Sequence, residues 1–271
     1  MKRESLSTPL HMLKKHGRLS LHLAVRGVRG RYKGSMLGLA WTLITPLCML
    51  GIYTFIFSVV FQARWGHDLG SSKAAFAIVL VCGLTVYQIF SDSVGMSVQL
   101  IVNNPNYVKR VVFPLEVLPF SGYLTCFMLN LAWFLIAIVG VLFFLNRLCI
   151  TTLALPLVLI PLSFFTLGIC WLVASLGVFF RDLNHFITIV LRMLLFLTPI
   201  FYEAERLPYP VRYVVYVNPL AVFAEQTRRV LVYNLWPQWG ILILWFIISL
   251  CCCQLGYLWF MRTRKGFADV L

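Results

Sequence analysis

The chain has 271 residues, 61% hydrophobic and 12% charged, with a mean hydropathy of +0.87 and a formal net charge of +14. A water-soluble domain is nearer half apolar and a quarter charged, so that class is excluded and an integral membrane protein is implied. The basic residues flank apolar runs, which reads as membrane orientation and not as nucleic-acid binding.

Residues 1–35 hold nine lysines and arginines and no apolar core of a leader, so no cleavable signal peptide is expected. Over 9–30 a helical wheel gathers Leu10, Leu13, Gly17, Leu21, Ala24 and Val28 in one sector. Lys14, Lys15, Arg18, His22, Arg26 and Arg29 fill the next, while Met12, Leu19 and Leu23 fall on a third side. This is the pattern of an in-plane amphipathic helix with its cations toward anionic headgroups, or of a plain positive anchor.

A helix needs about 20 apolar residues to cross the bilayer core. Met36 to Phe61 qualifies, as does Ala74 to Val102, whose only charge is Asp92. NNPNYVKRVVFPLEVLPF (103–120) then interrupts with polar residues, either as a solvated hairpin or as a surface gripped by another protein. Val111 to Asn146, Leu148 to Phe180, Leu183 to Tyr202 (with Arg192) and Gly240 to Met261 complete six candidate spans. Glu203 to Trp239 carries four prolines and many tyrosines and tryptophans, and its apolar pieces are too short to span. Such segments are interfacial or re-entrant, the alternative being an ordinary outer loop.

Arg262, Arg264 and Lys265 add a second basic cluster near the other end, so the positive-inside rule makes both termini cytoplasmic and the crossing number even. Asp92, Glu116 and Arg192 read as isolated, unlike the paired ionisable groups of ion-coupled transporters. The eight cysteines show no metal-site spacing and sit mostly in apolar runs, where they act as small hydrophobes. No P-loop, HExxH, GxSxG or paired acids are present, so an embedded glycosyl- or acyltransferase finds no catalytic cluster; His185 beside Arg181 and Asp182 reads as part of a salt-bridged helix junction.

RYKGSMLGLAWTLITPL (31–47), VKRVVFPLEVLP (108–119), GVFFRDL (177–183), LTPIFY (197–202), NPLA (218–221) and GFADVL (266–271) follow one another in this order. Together they resemble the type-2 ABC transporter permeases that export polysaccharides and polyol phosphates, most closely the O-antigen (lipopolysaccharide) export permeases. The resemblance implies an all-α polytopic protein of the bacterial inner membrane, a single permease domain over 1–271. It implies six spans, an interface helix at 9–30, a cytoplasmic coupling helix at 103–112, and partly re-entrant gate helices at 203–239. It further implies a homodimer with two copies of an ABC ATPase subunit, which binds ATP and magnesium while this chain holds no cofactor. The substrate implied is a glycan on an undecaprenyl-type lipid pyrophosphate; capsule and teichoic acid export belong to the same family.

On that basis Asn103, Asn104, Tyr107, Lys109 and Arg110 are candidates for docking the ATPase. Arg26, Arg29, Arg31 and Lys33, just before span one, are candidates for the pyrophosphate, which arginine can hold in bidentate fashion. Trp41, Tyr53 and Phe57 on span one, Tyr87 and Phe90 on span two, and Arg192 on span five are candidates for the channel wall. Aromatic faces offer a sugar chain weak, repeated contacts, and an arginine facing lipid is costly.

Overall fold

The computed structural model describes residues 8–61, 73–108, 113–145 and 150–270, and among these every regular element is helical. Helix α1 (Pro9–Arg31) opens on Thr8, whose hydroxyl accepts from the His11 amide, with Pro9 at the first helical position where its missing N–H costs nothing. Helix α2 (Trp41–Thr54) continues without a break into a π-helical stretch, Phe55–Val60. Long helices α3 (Lys73–Val98), α5 (Val117–Leu145), α6 (Leu155–Phe179) and α10 (Trp239–Thr263) form the body. Shorter ones lie between them: α4 (Pro105–Val108), α7 (Leu183–Leu197), α8 (Tyr209–Val217), α9 (Pro219–Leu231) and, last, α11 (Phe267–Val270).

Five helical stretches are long and apolar enough to cross a bilayer: Gly38–Val60, Ala74–Val98, Val117–Phe144, Ile150–Phe179 and Trp239–Val270. The sixth expected span is shorter than its apolar run. Helix α7 has 15 residues, about 22 Å at 1.5 Å per residue, because Thr198 turns extended ahead of Pro199. The start of α5 also falls later than its apolar run, at Val117, since 113–116 is not helical.

Helix α3 is the hub, with 78% of its apolar window buried against α5, α6, α7 and α9. Thr85 and Ser97 survive there because they bond their own helix: Thr85 Oγ1 donates to the Val81 carbonyl and Ser97 Oγ to that of Ser93, each at 2.7 Å. The most extensive pairing is α6 with α10, and it depends on glycine. A Cβ added to Gly256 would sit 2.0 Å from the Gly168 carbonyl oxygen, so the two backbones touch there. Lipid tails are as apolar as leucine, so close backbone approach is what holds such helices together. Gly177 does the same for α6 against α3, its Cβ position lying 2.0 Å from the Val98 carbonyl oxygen.

Helix α1 packs along α5 on a face that shares Ala24 with the leucine-rich sector and otherwise lies beside it. Met12, Ser20 and Ala24 are buried, whereas Leu21 is 48% exposed. The reason is steric: Thr125 of α5 donates to the Ala24 carbonyl at 3.3 Å, and a Cβ on Gly27 would lie 2.7 Å from the Thr125 hydroxyl. Small residues form the contact because only they allow this approach. The basic side chains Lys14, Lys15, Arg18, Arg26 and Arg29 stay exposed.

Candidate functional site: a polar hairpin, exposed cations and two groups of aromatics

Helix α4 is a single turn between the ends of α3 and α5. Asn103 is exposed, and the Asn104 amide donates to the Leu100 carbonyl at 2.8 Å, closing the end of the preceding helix. The Tyr107 ring stacks on Phe113 with centroids 4.4 Å apart, which ties the outgoing limb of the segment to the returning one. Lys109 and Arg110 lie outside the described residues.

Glu116 follows, and it is not isolated. Its carboxylate accepts from Arg264 at 3.1 Å, and its carbonyl accepts from the Trp171 indole N–H at 3.0 Å. Asp92 is likewise partnered, accepting from the Asn130 amide at 2.9 Å. Both pairings join residues far apart in sequence, so no local pattern announces them. A cheaper signal was available for Glu116: an acid bracketed by prolines in an apolar run requires a counter-charge.

Arg26, Arg29, Arg31 and Lys33 are all exposed around the C-terminal end of α1, where cations complement the carbonyl end of the helix dipole. The chain then reverses through Gly34 at φ 91° and Gly38 at φ 50°, conformations that favour glycine, and enters α2. The four cations therefore precede α2 in the chain, Arg26, Arg29 and Arg31 on α1 and Lys33 in the turn that follows it.

The aromatic candidates divide into two groups. Tyr53 and Phe57 gather on Phe201, with centroid distances of 5.2 and 4.4 Å, and Phe196 joins the same ring at 5.9 Å. Trp41 is exposed at the other end of α2. Tyr87 and Phe90 are taken up inside the protomer: the Tyr87 hydroxyl donates to the Leu191 carbonyl at 2.8 Å, and Phe90 stacks on Phe165 at 5.9 Å. Tyr87 and Phe90 turn inward because α3 is the hub of the bundle. Arg192 is exposed on α7, among the exposed apolar side chains Ile189, Met193 and Phe196.

Sequence reasoning passed over Arg228, which has the appearance of a solvated residue in AEQTRRV. It is 1% exposed. Its guanidinium donates to the Pro199 carbonyl at 2.7 Å and the Val79 carbonyl at 3.3 Å, and it sits 3.6 Å from the Glu225 carboxylate. Gly83 leaves the space it occupies. The Asn218 amide adds a bond to Thr198 at 3.0 Å, and the Thr151 hydroxyl donates to the Val230 carbonyl at 2.8 Å. Helix α9 is thus fastened to the hub and to the loop that ends α7.

These features define a helical membrane protein with a polar hairpin at one end, exposed cations before its first span and, among the described residues, no group of three or more His, Cys, Asp or Glu that could hold a metal ion. Residues 19–232 match the family described as ABC-2 type transporter, and the chain belongs to that family. Its members are transport subunits and not enzymes. The chain is 28% identical over 251 residues to the O-antigen export system permease protein RfbA of Klebsiella pneumoniae, covering 91% of this chain and 92% of the relative. A permease of the same name from Myxococcus xanthus is 32% identical over 187 residues, 68% of each chain.

Proposed function

We propose that the chain is the membrane subunit of an ATP-driven exporter that carries a lipid-pyrophosphate-linked polysaccharide, O-antigen in kind, across the bacterial inner membrane. The observation that carries this reading is similarity to O-antigen export permeases along nearly the whole of both chains. ATP and magnesium belong to a separate ABC ATPase subunit, two copies of which serve a homodimer of this chain.

Helix lengths support an interface role for α1. Helix α5 has 29 residues, about 44 Å, so a bilayer core of about 30 Å leaves about 14 Å over. Helix α1 meets α5 at Thr125, which lies eight residues past Val117, or about 12 Å. The two figures agree if α1 lies at headgroup level and the ends of α3 and α5 project beyond it. The 103–112 segment then hangs clear of the membrane on the cytoplasmic side, where Asn103, Asn104, Tyr107, Lys109 and Arg110 meet the ATPase.

Arg26, Arg29, Arg31 and Lys33 receive the pyrophosphate at the same depth. Helix α7 with residues 198–202 completes a sixth crossing, and α8 and α9 form the re-entrant outer part of 203–239. Both termini are cytoplasmic. Trp41, Tyr53, Phe57 and Arg192 line the glycan route, an exposed arginine among apolar side chains being tolerable only where it faces water or a partner; Tyr87 and Phe90 serve the protomer core instead.

The test is to delete the gene and follow the lipid-linked glycan. Loss of the polymer from the cell surface, with accumulation of its lipid-linked form inside, is the expected result; an unchanged surface glycan overturns the reading. In purified transporter, Arg31→Lys keeps the charge but not the bidentate fork, and is expected to weaken stimulation of ATP hydrolysis by the lipid pyrophosphate. Wild-type stimulation would return Arg31 to an anchoring role.

A further inference from the structure

Two of the sequence motifs, VKRVVFPLEVLP and GFADVL, are joined in the structure although they stand more than 140 residues apart. The bond is the ion pair between Glu116, at the root of α5, and Arg264, in the 3₁₀ turn Arg264–Gly266 that follows α10. Glu116 is 8% exposed and is held twice, since its carbonyl also receives the indole N–H of Trp171. Trp171 is fully buried and packs edge-on against Tyr257 of α10 at 5.1 Å. Beyond Arg264, Phe267 is fully buried between Phe260 and Phe179, at 5.4 and 5.8 Å. Thr263 and Ser175 share a hydrogen bond of 2.7 Å.

The outgoing limb of the hairpin is also anchored on α6, where Gly177 lets the Val98 backbone into contact. Both limbs of 103–112 therefore stand on the cytoplasmic third of α6, and the residues after α10 fasten the return limb there.

We propose that Arg264 to Phe267 is a positioning element for the 103–112 segment. It joins the root of α5 to the α6–α10 pair, so that a displacement of 103–112 is carried by three helices as one body. Arg264 is the central positioning residue and Glu116 its receiver. The inference rests on 103–112 being the ATPase-docking segment. A partly buried ion pair suits this task, because breaking it leaves a charge without a partner and the joint gives way.

The experiment uses the complete transporter, permease with its ATPase, and measures glycan exported per ATP hydrolysed. Arg264→Glu places two carboxylates together, and a drop in that ratio of about tenfold is expected while the ATPase remains bound. The charge exchange Glu116→Arg with Arg264→Glu is expected to recover most of the ratio. Hydrogen exchange of amides 113–118 should rise in the single variant and fall again in the exchange. If Arg264→Glu does not insert, Arg264→Gln removes the charge at similar size and is read the same way. An unchanged ratio in the single variant, or an exchange no better than either single change, overturns the proposal. Asn103→Ala with Tyr107→Ala separates the two readings. Wild-type ATPase binding and coupling there overturns the docking assignment and this inference with it. Lost coupling there with unchanged coupling in Arg264→Glu overturns the positioning role alone.

Discussion

Helices α2 and α3 are equally apolar by composition, yet 6% of the span-one window is buried in the protomer against 78% of the α3 window. The difference is not in hydropathy, nor in the supply of small residues, since the first span carries Thr42, Thr45, Cys48, Gly51, Thr54 and Ser58; it lies in whether the protomer's own chain reaches them. Helix α3 carries Gly83, Thr85, Gly95 and Ser97 among its large residues, and these let Arg228, Leu191 and neighbouring backbones approach. Helix α2 shows large side chains to the outside on several sides, among them Leu43, Leu47, Ile52 and Phe55. One helix is built to be surrounded by its own chain, the other to meet lipid, cargo or a second copy. Apolarity places a helix in the membrane, and which neighbours reach its small residues decides what it touches there.

The comparison is most severely tested at the glycines. Gly256→Ala puts a methyl group into the Gly168 carbonyl, and a loss of about 3 kcal/mol or more is expected, read as a large fall in thermal unfolding temperature of the purified protein. Arg228→Met keeps the length of the side chain but leaves the Pro199 and Val79 carbonyls without their donor, and a loss of about 2–4 kcal/mol is expected by the same measurement. At the boundary between the two regions, a double-mutant cycle of Phe57→Ala and Phe201→Ala should give a coupling of about 0.5–1.5 kcal/mol, the value of one stacked pair. Gly51→Ala on α2 meets open space, so the substitution should be neutral or stabilising by up to about 1 kcal/mol. If Gly51→Ala instead destabilised as Gly256→Ala does, α2 would have to be packed as α3 is, and the contrast would vanish.

Five of the six expected spans recur as long apolar helices, legible because a bilayer imposes length and apolarity on consecutive residues, and both can be counted. What the apolar run could not give was the end of α7, where Pro199 stops the helix inside a stretch that is still greasy. The face of α1 that packs on α5 left a weaker signal, because Ser20, Ala24 and Gly27 are small and carry little hydropathy. Glu116 and Arg264 are 148 residues apart, and Arg228 bonds a carbonyl 149 residues away. Charge in such positions marks a missing partner without naming it. Among the candidate residues, the exposure of the four cations before the first span follows from their charge, whereas which aromatics turn inward could not be read, because that depends on the neighbours of each helix.

The π-helical stretch at Phe55–Val60 has a meaning for sequence length itself. Its bond from the Phe61 amide to the Ile56 carbonyl, 3.0 Å, spans five residues, as if one residue had been slipped into an ordinary helix. That surplus residue resets the phase of the chain that follows it, so Phe61 points about 100° away from where an uninterrupted helix would aim it. A one-residue deletion between 55 and 60 would leave composition and hydrophobicity almost untouched and still turn that ring like a key. Insertions and deletions at this point, more than substitutions, are therefore the changes by which the end of the first apolar helix could be re-aimed.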